Sequence, residues 1–279
     1  MQAASSGTEI DTGTTDLLAS VERGVGVLTL NRPDRRNALS AAMFEALARL
    51  LDEWEAADDI GAVVLTGAGP AFCAGGDVKG FAERGGEGGG HSESIDERVA
   101  RQRASQRATT GRLHSYAKPT VAALPGAAAG AGIGLALACD LRVGCDRSSI
   151  VGAFGKVGLS GDYGAIWGLT RLVGPARARQ AMFLGERIDA ATALDWGLLN
   201  WVVPAEELRE YALGVAAGLA AGPRQALAAM KQNLLDAEQL DLAAAMDREV
   251  PRHLTCGVTD DHREAVLAFV EKRAPVFGR

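Results

Sequence analysis

Short apolar runs and longer amphipathic stretches alternate along the first half of the chain. The runs Val25–Leu30, Ala62–Thr66 and Thr120–Leu124 have the length and residue types of buried strands. Between the first two, Met43, Leu47, Leu50, Leu51 and Trp54 recur at helical spacing behind Ser40, a residue suited to cap a helix. Asn31-Arg32-Pro33-Asp34 closes the first strand as a turn. Strand, helix and strand in that order predict a parallel crossover and an α/β class. Further helices are expected from about Ile95 to Tyr116 and from Ala131 to Ala138, with short strands at Asp140–Gly144 and Ser149–Gly152. From Asp162 onward the pattern turns mostly helical: Gly164–Leu172, Pro175–Leu184 and Ala190–Trp196. After the strand Leu199–Val203, helices are expected at about 205–220, 222–235, 239–249 and 259–273. Three parts follow: a polar, disordered tail over 1–16, a core over 17–203, and a helical packing or oligomerisation region over 204–279.

Two segments of small residues interrupt this pattern directly after strands. They are Ala71-Phe72-Cys73-Ala74-Gly75-Gly76-Asp77 and Gly126-Ala127-Ala128-Ala129-Gly130-Ala131-Gly132-Ile133-Gly134. Small residues after a strand let another group approach the backbone closely. Two such turns could direct two backbone N–H groups at one carbonyl oxygen, forming an oxyanion hole. Tight packing of helices on strands would produce the same composition. A third glycine-rich stretch, Gly85-Gly86-Glu87-Gly88-Gly89-Gly90, is of low complexity and is expected to be a flexible loop.

Charge narrows the partners. A net charge of -6 argues against nucleic-acid binding, which needs a basic face. No apolar run reaches the roughly 20 residues needed to span a bilayer, and the N-terminus lacks the apolar stretch of a signal peptide. Cys73, Cys139, Cys145 and Cys256 show no C-x-x-C spacing, and His91, His114, His253 and His262 fall in no metal-ligand pattern. A reducing, cytoplasmic location and no metal are therefore expected. The stretch Gly130-Ala131-Gly132-Ile133-Gly134 suggests a dinucleotide fingerprint, but Leu135 stands where its third glycine belongs.

Several motifs together resemble the enoyl-CoA hydratase/isomerase family, the crotonase superfamily, from about Val27 to Phe277. They are Asn31-Arg32-Pro33 with Asn37-Ala38-Leu39, the segment Ala71–Asp77, Lys118–Gly126 and Leu135–Asp140. Leu169–Gly174, Ala193–Leu198 and Ala268–Arg273 complete the series. The resemblance implies a spiral of ββα repeats, a helical C-terminal trimerisation region, and self-association as a trimer or dimer of trimers. It implies an acyl-CoA thioester as substrate, with coenzyme A part of that substrate and no separate cofactor. The oxyanion hole would fall on the N–H groups of Gly76 and Ala131. Coenzyme A would be held by Arg35, Arg36, Ala74 and Lys79, and by Phe269 and Lys272 reaching the ligand of a neighbouring subunit. Gly134, Phe154, Gly158, Tyr163 and Trp167 would wall the acyl pocket.

The chain departs from the family at the two glutamates that its hydratases use. Gly134 holds the place of the first, and Gly158 or Phe154 that of the second, depending on the anchor chosen. Asp162 remains, in a turn where some relatives that shift double bonds carry an acid/base aspartate. One carboxylate can take a proton from one carbon and return it to another. Asp162 also stands where a helix N-cap would. Related dehalogenases pair such an aspartate with a histidine on the preceding helix; the matching position here is Arg107, with His114 two turns on. The expectation is an enoyl-CoA isomerase working through Asp162. A hydratase with an atypical site and a non-catalytic acyl-CoA binding protein are the alternatives.

Overall fold

The computed structural model describes residues 7–278 except 84, 88 and 90–92. In chain order the first elements are β1 (Thr8–Ile10), β2 (Leu17–Glu22), β3 (Val25–Leu30), α1 (Ala41–Ala56), β4 (Ala62–Gly67), β5 (Ala71–Cys73) and α2 (Val78–Glu83). The middle holds α3 (Ile95–Gln106), α4 (Arg112–His114), β6 (Thr120–Leu124), β7 (Ala127–Ala129), α5 (Ala131–Ala138), β8 (Leu141–Cys145) and β9 (Ser149–Val151). Then come α6 (Ala165–Leu184), β10 (Arg187–Asp189), α7 (Ala190–Asp195), β11 (Trp201–Val203), α8 (Leu208–Ala220), α9 (Arg224–Ala237), α10 (Leu242–Cys256) and α11 (Asp260–Glu271).

The strands form two sheets, ordered β1-β2-β3-β4-β6-β8-β11 and β10-β9-β7-β5. Each of β4, β6 and β8 runs parallel to its neighbour in the larger sheet and passes the chain to β5, β7 or β9 in the smaller. A helical segment then carries the chain back. That repetition is the expected spiral of ββα units. The larger sheet is apolar on both faces because both are covered. Leu28, Val63, Leu65, Ala122 and Leu124 point into the core shared with α1 and α5. Their alternates Val27, Val64, Val121, Ala123 and Val143 meet Leu208, Ala212, Leu213 and Ala216 of α8.

Several expectations hold in detail. Ser40 Oγ accepts the Met43 N–H, and Met43, Leu47, Leu50, Leu51 and Trp54 form the buried stripe of α1. The helix from Ile95 to about Tyr116 is continuous, but Arg107–Gly111 between α3 and α4 is a wider π turn. The break between the helices expected on either side of Gly174 is a kink in α6, with Gly174 at φ 74° before Pro175.

Two expected boundaries need correction. Residues 8–10 belong to the fold, because Thr8–Ile10 pairs antiparallel with Ala19–Val21; residues 1–6 lie outside the described residues. The glycine loop of 85–90 falls partly outside them too. At the other end α8 is part of the core, so the helices that leave it begin with α9. Lys231 ties α9 back to the core, donating to Asp140 Oδ2 at 2.9 Å while almost fully buried. The helix expected to stop at about 249 continues through Pro251, which sits on an exposed face where water can serve the freed carbonyl.

Asn37 holds the turn that precedes α1 against the end of β4. It is wholly buried at φ 56°, a conformation asparagine tolerates better than most residues. Its amide donates to the carbonyls of Ala68 and Ala71 at 2.9 and 2.8 Å, and its Oδ1 accepts the Arg32 N–H at 2.9 Å. Asn37→Ala removes the partner of the buried Ala71 carbonyl and of the half-buried Ala68 carbonyl and Arg32 N–H, and is expected to cost about 3 kcal/mol, read as a lowered midpoint in urea unfolding.

Candidate active site

The two small-residue turns meet backbone to backbone. Gly75 stands at φ 80°, and a Cβ there would lie 2.7 Å from the Ala129 carbonyl oxygen and 3.0 Å from the Ala131 nitrogen. A side chain on Gly132 would strike the Cys73 carbonyl and Sγ. Gly130 takes φ 52°, ψ −129°, and opens directly into α5. The first turn is tied down from outside: the Gly75 carbonyl accepts the Leu39 N–H at 2.8 Å, and the Arg36 carbonyl accepts the Ala74 N–H at 2.9 Å. Cys73, whose thiol burial pushes up to about 12, accepts the Gly75 N–H at 3.4 Å and is unreactive packing.

Gly76 and Ala131 both line a cavity of about 1110 Å³. Neither N–H has an acceptor among the described residues. The Ala131 N–H belongs to the first residue of α5, where the helix dipole favours negative charge. Two free donors on adjoining turns are what an oxyanion hole requires.

Asp162 lines the same cavity. It is not a helix cap: the N-cap residue of α6 is Gly164, and only the Asp162 main-chain carbonyl engages the helix, at Ala165 N. Its Oδ2 accepts from Gln102 Nε2 at 3.1 Å, while its buried Oδ1 has no partner among the described residues. Burial raises this carboxyl to about 6; the negative charge of Glu87 adds to the rise, and the Gln102 bond opposes it. Next to it Tyr163 is held at φ 46°, a strained backbone for a bulky residue. Its ring stacks on Phe44 at 4.8 Å, and its hydroxyl meets Ser105 Oγ at 3.1 Å. Gln102 and Ser105 are three residues apart and so share one face of α3.

The remaining predicted residues divide into three groups. Tyr163 lines the cavity, whereas Gly134, Phe154, Gly158 and Trp167 do not. Gly134 lies behind Tyr163, and a Cβ there would collide with the Tyr163 carbonyl oxygen. The ring of Phe154 packs under the turns at Gly130 and Gly161, which makes it a support. Gly158 is exposed, and Trp167 lies on the outer side of α6, 4.1 Å from the Arg171 guanidinium and 4.9 Å from the His114 ring. Among the basic residues, Arg35 pairs with Asp77 at 3.6 Å, while Arg36 and Lys79 are exposed nearby. Asp77 also caps α2 through the Gly80 N–H; that bond, and then Arg32 and Arg35, hold its carboxyl below the usual range. Phe269 and Lys272 are exposed at the end of α11 and line no part of this cavity within one chain. Arg107, in the π turn, does line it. Gln102, Ser105 and Phe44 escaped sequence reasoning, because no pattern marks a polar residue on an exposed-looking helix as facing a turn some 60 residues later.

A spiral of ββα units thus brings two free N–H groups and the buried Asp162 carboxyl to one cavity. The chain belongs to the enoyl-CoA hydratase/isomerase family, whose sequence profile matches residues 20–279. It is 38% identical over 261 residues to the 1,2-epoxyphenylacetyl-CoA isomerase of Escherichia coli K12, covering 94% of this chain and 97% of that protein. Among solved structures it is similar to an enoyl-CoA hydratase from Polaromonas sp. JS666, with a TM-score of 0.87 and 32% identity over 94% of this chain and 99% of that one. An enoyl-CoA hydratase from Bacillus anthracis gives a TM-score of 0.86 at 31% identity, over 94% and 98% of the two chains.

The crowding at Gly134 is directly testable. Gly134→Ala is expected to push the Asp162–Tyr163 turn away from α5. Stability should fall by about 2 kcal/mol in thermal or urea unfolding, with a larger loss of activity than of stability.

Proposed function

We propose that this protein is an enoyl-CoA isomerase that moves a double bond into conjugation with a thioester, using Asp162 as its acid/base. The observation that carries this reading is a buried carboxyl, one oxygen of which has no partner among the described residues, on a residue that lines the cavity with the two free N–H groups. In the proposed reaction a 3-enoyl-CoA thioester carbonyl accepts from the Gly76 and Ala131 N–H groups. The Asp162 carboxylate takes a proton from the α-carbon, and the electron pair spreads through the dienolate to the thioester oxygen. Asp162 then returns the same proton to the γ-carbon, leaving the conjugated 2-enoyl thioester and a regenerated carboxylate. A carboxyl near 6 is mostly ionised at neutral pH yet basic enough to accept a proton, which suits one group doing both jobs. The isomerase name of the Escherichia coli relative is consistent with this reading.

The family's hydratases add water with two carboxylates, and the turn that brings Asp162 into the cavity occupies the space beside Gly134 where one of them would stand. Hydration is the alternative to which the names of the solved relatives point. A trimer or dimer of trimers is supported by the apolar side chains exposed on the last helices, among them Leu234, Leu242, Leu254 and Phe269. Such an assembly would bring Phe269 and Lys272 to a neighbour's coenzyme A, with Arg35, Arg36, Ala74 and Lys79 at the mouth of the chain's own cavity. No helix among the described residues is long and apolar enough to cross a membrane; a cytoplasmic location is part of the same proposal.

With 3-enoyl-CoA and 2-enoyl-CoA of matched length, absorbance of the conjugated thioester should rise from the first and stay level with the second. Asp162→Asn should lower the rise by about a hundredfold or more. Loss of conjugation from the 2-enoyl substrate would instead mean hydration, and tight binding without turnover a non-catalytic acyl-CoA protein. Because the carboxylate is the active form, kcat/KM should fall as pH drops through about 6 and level off above it.

A further inference from the structure

The Asp162 carboxylate has two unlike oxygens, and α3 makes them so. Oδ2 accepts from Gln102 Nε2 at 3.1 Å, and Oδ1 is buried with no partner among the described residues. One turn further along the same helix face, Ser105 Oγ meets the hydroxyl of Tyr163 at 3.1 Å. The helix thus grips two consecutive residues of a turn whose backbone is strained at Tyr163. Nothing else among the described residues hydrogen-bonds the Asp162 carboxylate. Gln102 is an amide, so it donates to the carboxylate without adding charge of its own.

Resting on the acid/base reading of Asp162, we propose that Gln102 is a positioning residue for the proton transfer: by engaging Oδ2 it fixes the rotation of the carboxylate that exchanges the proton with substrate. A rotated carboxylate would present either oxygen, at uncontrolled distance from the two carbons between which the proton moves. Pinning one oxygen fixes the other, which lowers the reorganisation needed between abstraction and return. The charged and titratable groups around the carboxylate are Glu87 from the loop after α2, Tyr163 beside it, and Arg101 of α3, which pairs with Glu93 at 3.0 Å. Arg98 and Arg107 line the same cavity from the α3 side, and Glu45 from α1. Gln102 is the one whose hydrogen bond favours the ionised form directly.

The test is Gln102→Met, which keeps length and helix propensity but removes the donor. Turnover of 3-hexenoyl-CoA is followed against pH, with binding of saturated hexanoyl-CoA measured by calorimetry. The expected result is a roughly tenfold lower kcat at neutral pH, KM and hexanoyl-CoA affinity within about twofold, and the acid limb of kcat/KM moved up by roughly one unit. Gln102→Glu, which adds a like charge on the same exposed helix, should move that limb at least as far and serves if the methionine variant does not fold. A uniform loss across the pH range with the limb unmoved would make Gln102 merely structural and overturn the proposal. Asp162→Asn is run beside them. If it is inactive while Gln102→Met keeps the wild-type profile, the tether alone is wrong; if it remains active, the acid/base reading falls and the tether with it.

Discussion

The close approach of two main-chain turns is the constraint on which the rest depends. The Gly75 backbone lies so close to Ala129 and Ala131 that even a Cβ at Gly75 would overlap them, and any side chain there would push the turns apart. Both turns need a left-handed or otherwise rare backbone, Gly75 at φ 80° and Gly130 at φ 52°, which glycine adopts at little cost. The parallel pairing of β5 with β7 sets the turns side by side, and the buried amide of Asn37 keeps the incoming chain from drifting. Main-chain donors held this way are rigid in a sense that side-chain donors are not. They have no rotamers to lose when a substrate oxygen arrives.

Against that fixed pair, the acidic half of the site is assembled from distant parts. Asp162 reaches the cavity on a turn after β9, Gln102 and Ser105 on α3, and Phe44 on α1. Each holds a neighbour instead of facing solvent: Phe44 the Tyr163 ring, Ser105 its hydroxyl, Gln102 the carboxylate. The arrangement balances burial, which discourages the charge on Asp162, against one amide bond that favours it.

The core elements were legible wherever burial leaves a period. The helix carrying Met43, Leu47, Leu50, Leu51 and Trp54 could be read from spacing, and the strands at Ala62 and Thr120 and the helix α5, buried on all sides, from unbroken apolar runs. Of the smaller sheet only β9 could, as the short strand expected at Ser149–Gly152. Ala127–Ala129 is a strand of three alanines, and its pairing with β5 and β9 is imposed by packing without any residue preference for extended backbone. Thr8–Ile10 was hidden for the opposite reason: as an edge strand exposed to water it carries polar residues and looks like a tail. Gly76, Ala131 and Asp162, which line one cavity, were accessible from motifs and resemblance. Phe154 and Trp167 looked like pocket walls because aromatic residues beside a glycine turn usually face inward; here one lies beneath the turns and the other stacks under an arginine. Gln102 and Ser105 carried no signal, since their partners depend on where a strained turn folds back.

The space beside Gly134 admits a single occupant. The carbonyl of Tyr163 fills the volume that a side chain at position 134 of α5 would claim. Evolutionary change at this site is therefore coupled: a new side chain at 134 and a relocated 159–164 turn must arrive together, because either alone leaves a clash or a void. Stepwise drift between chemistries is blocked here by sterics, and a lineage would cross the gap by insertion or deletion in that turn more readily than by point substitution.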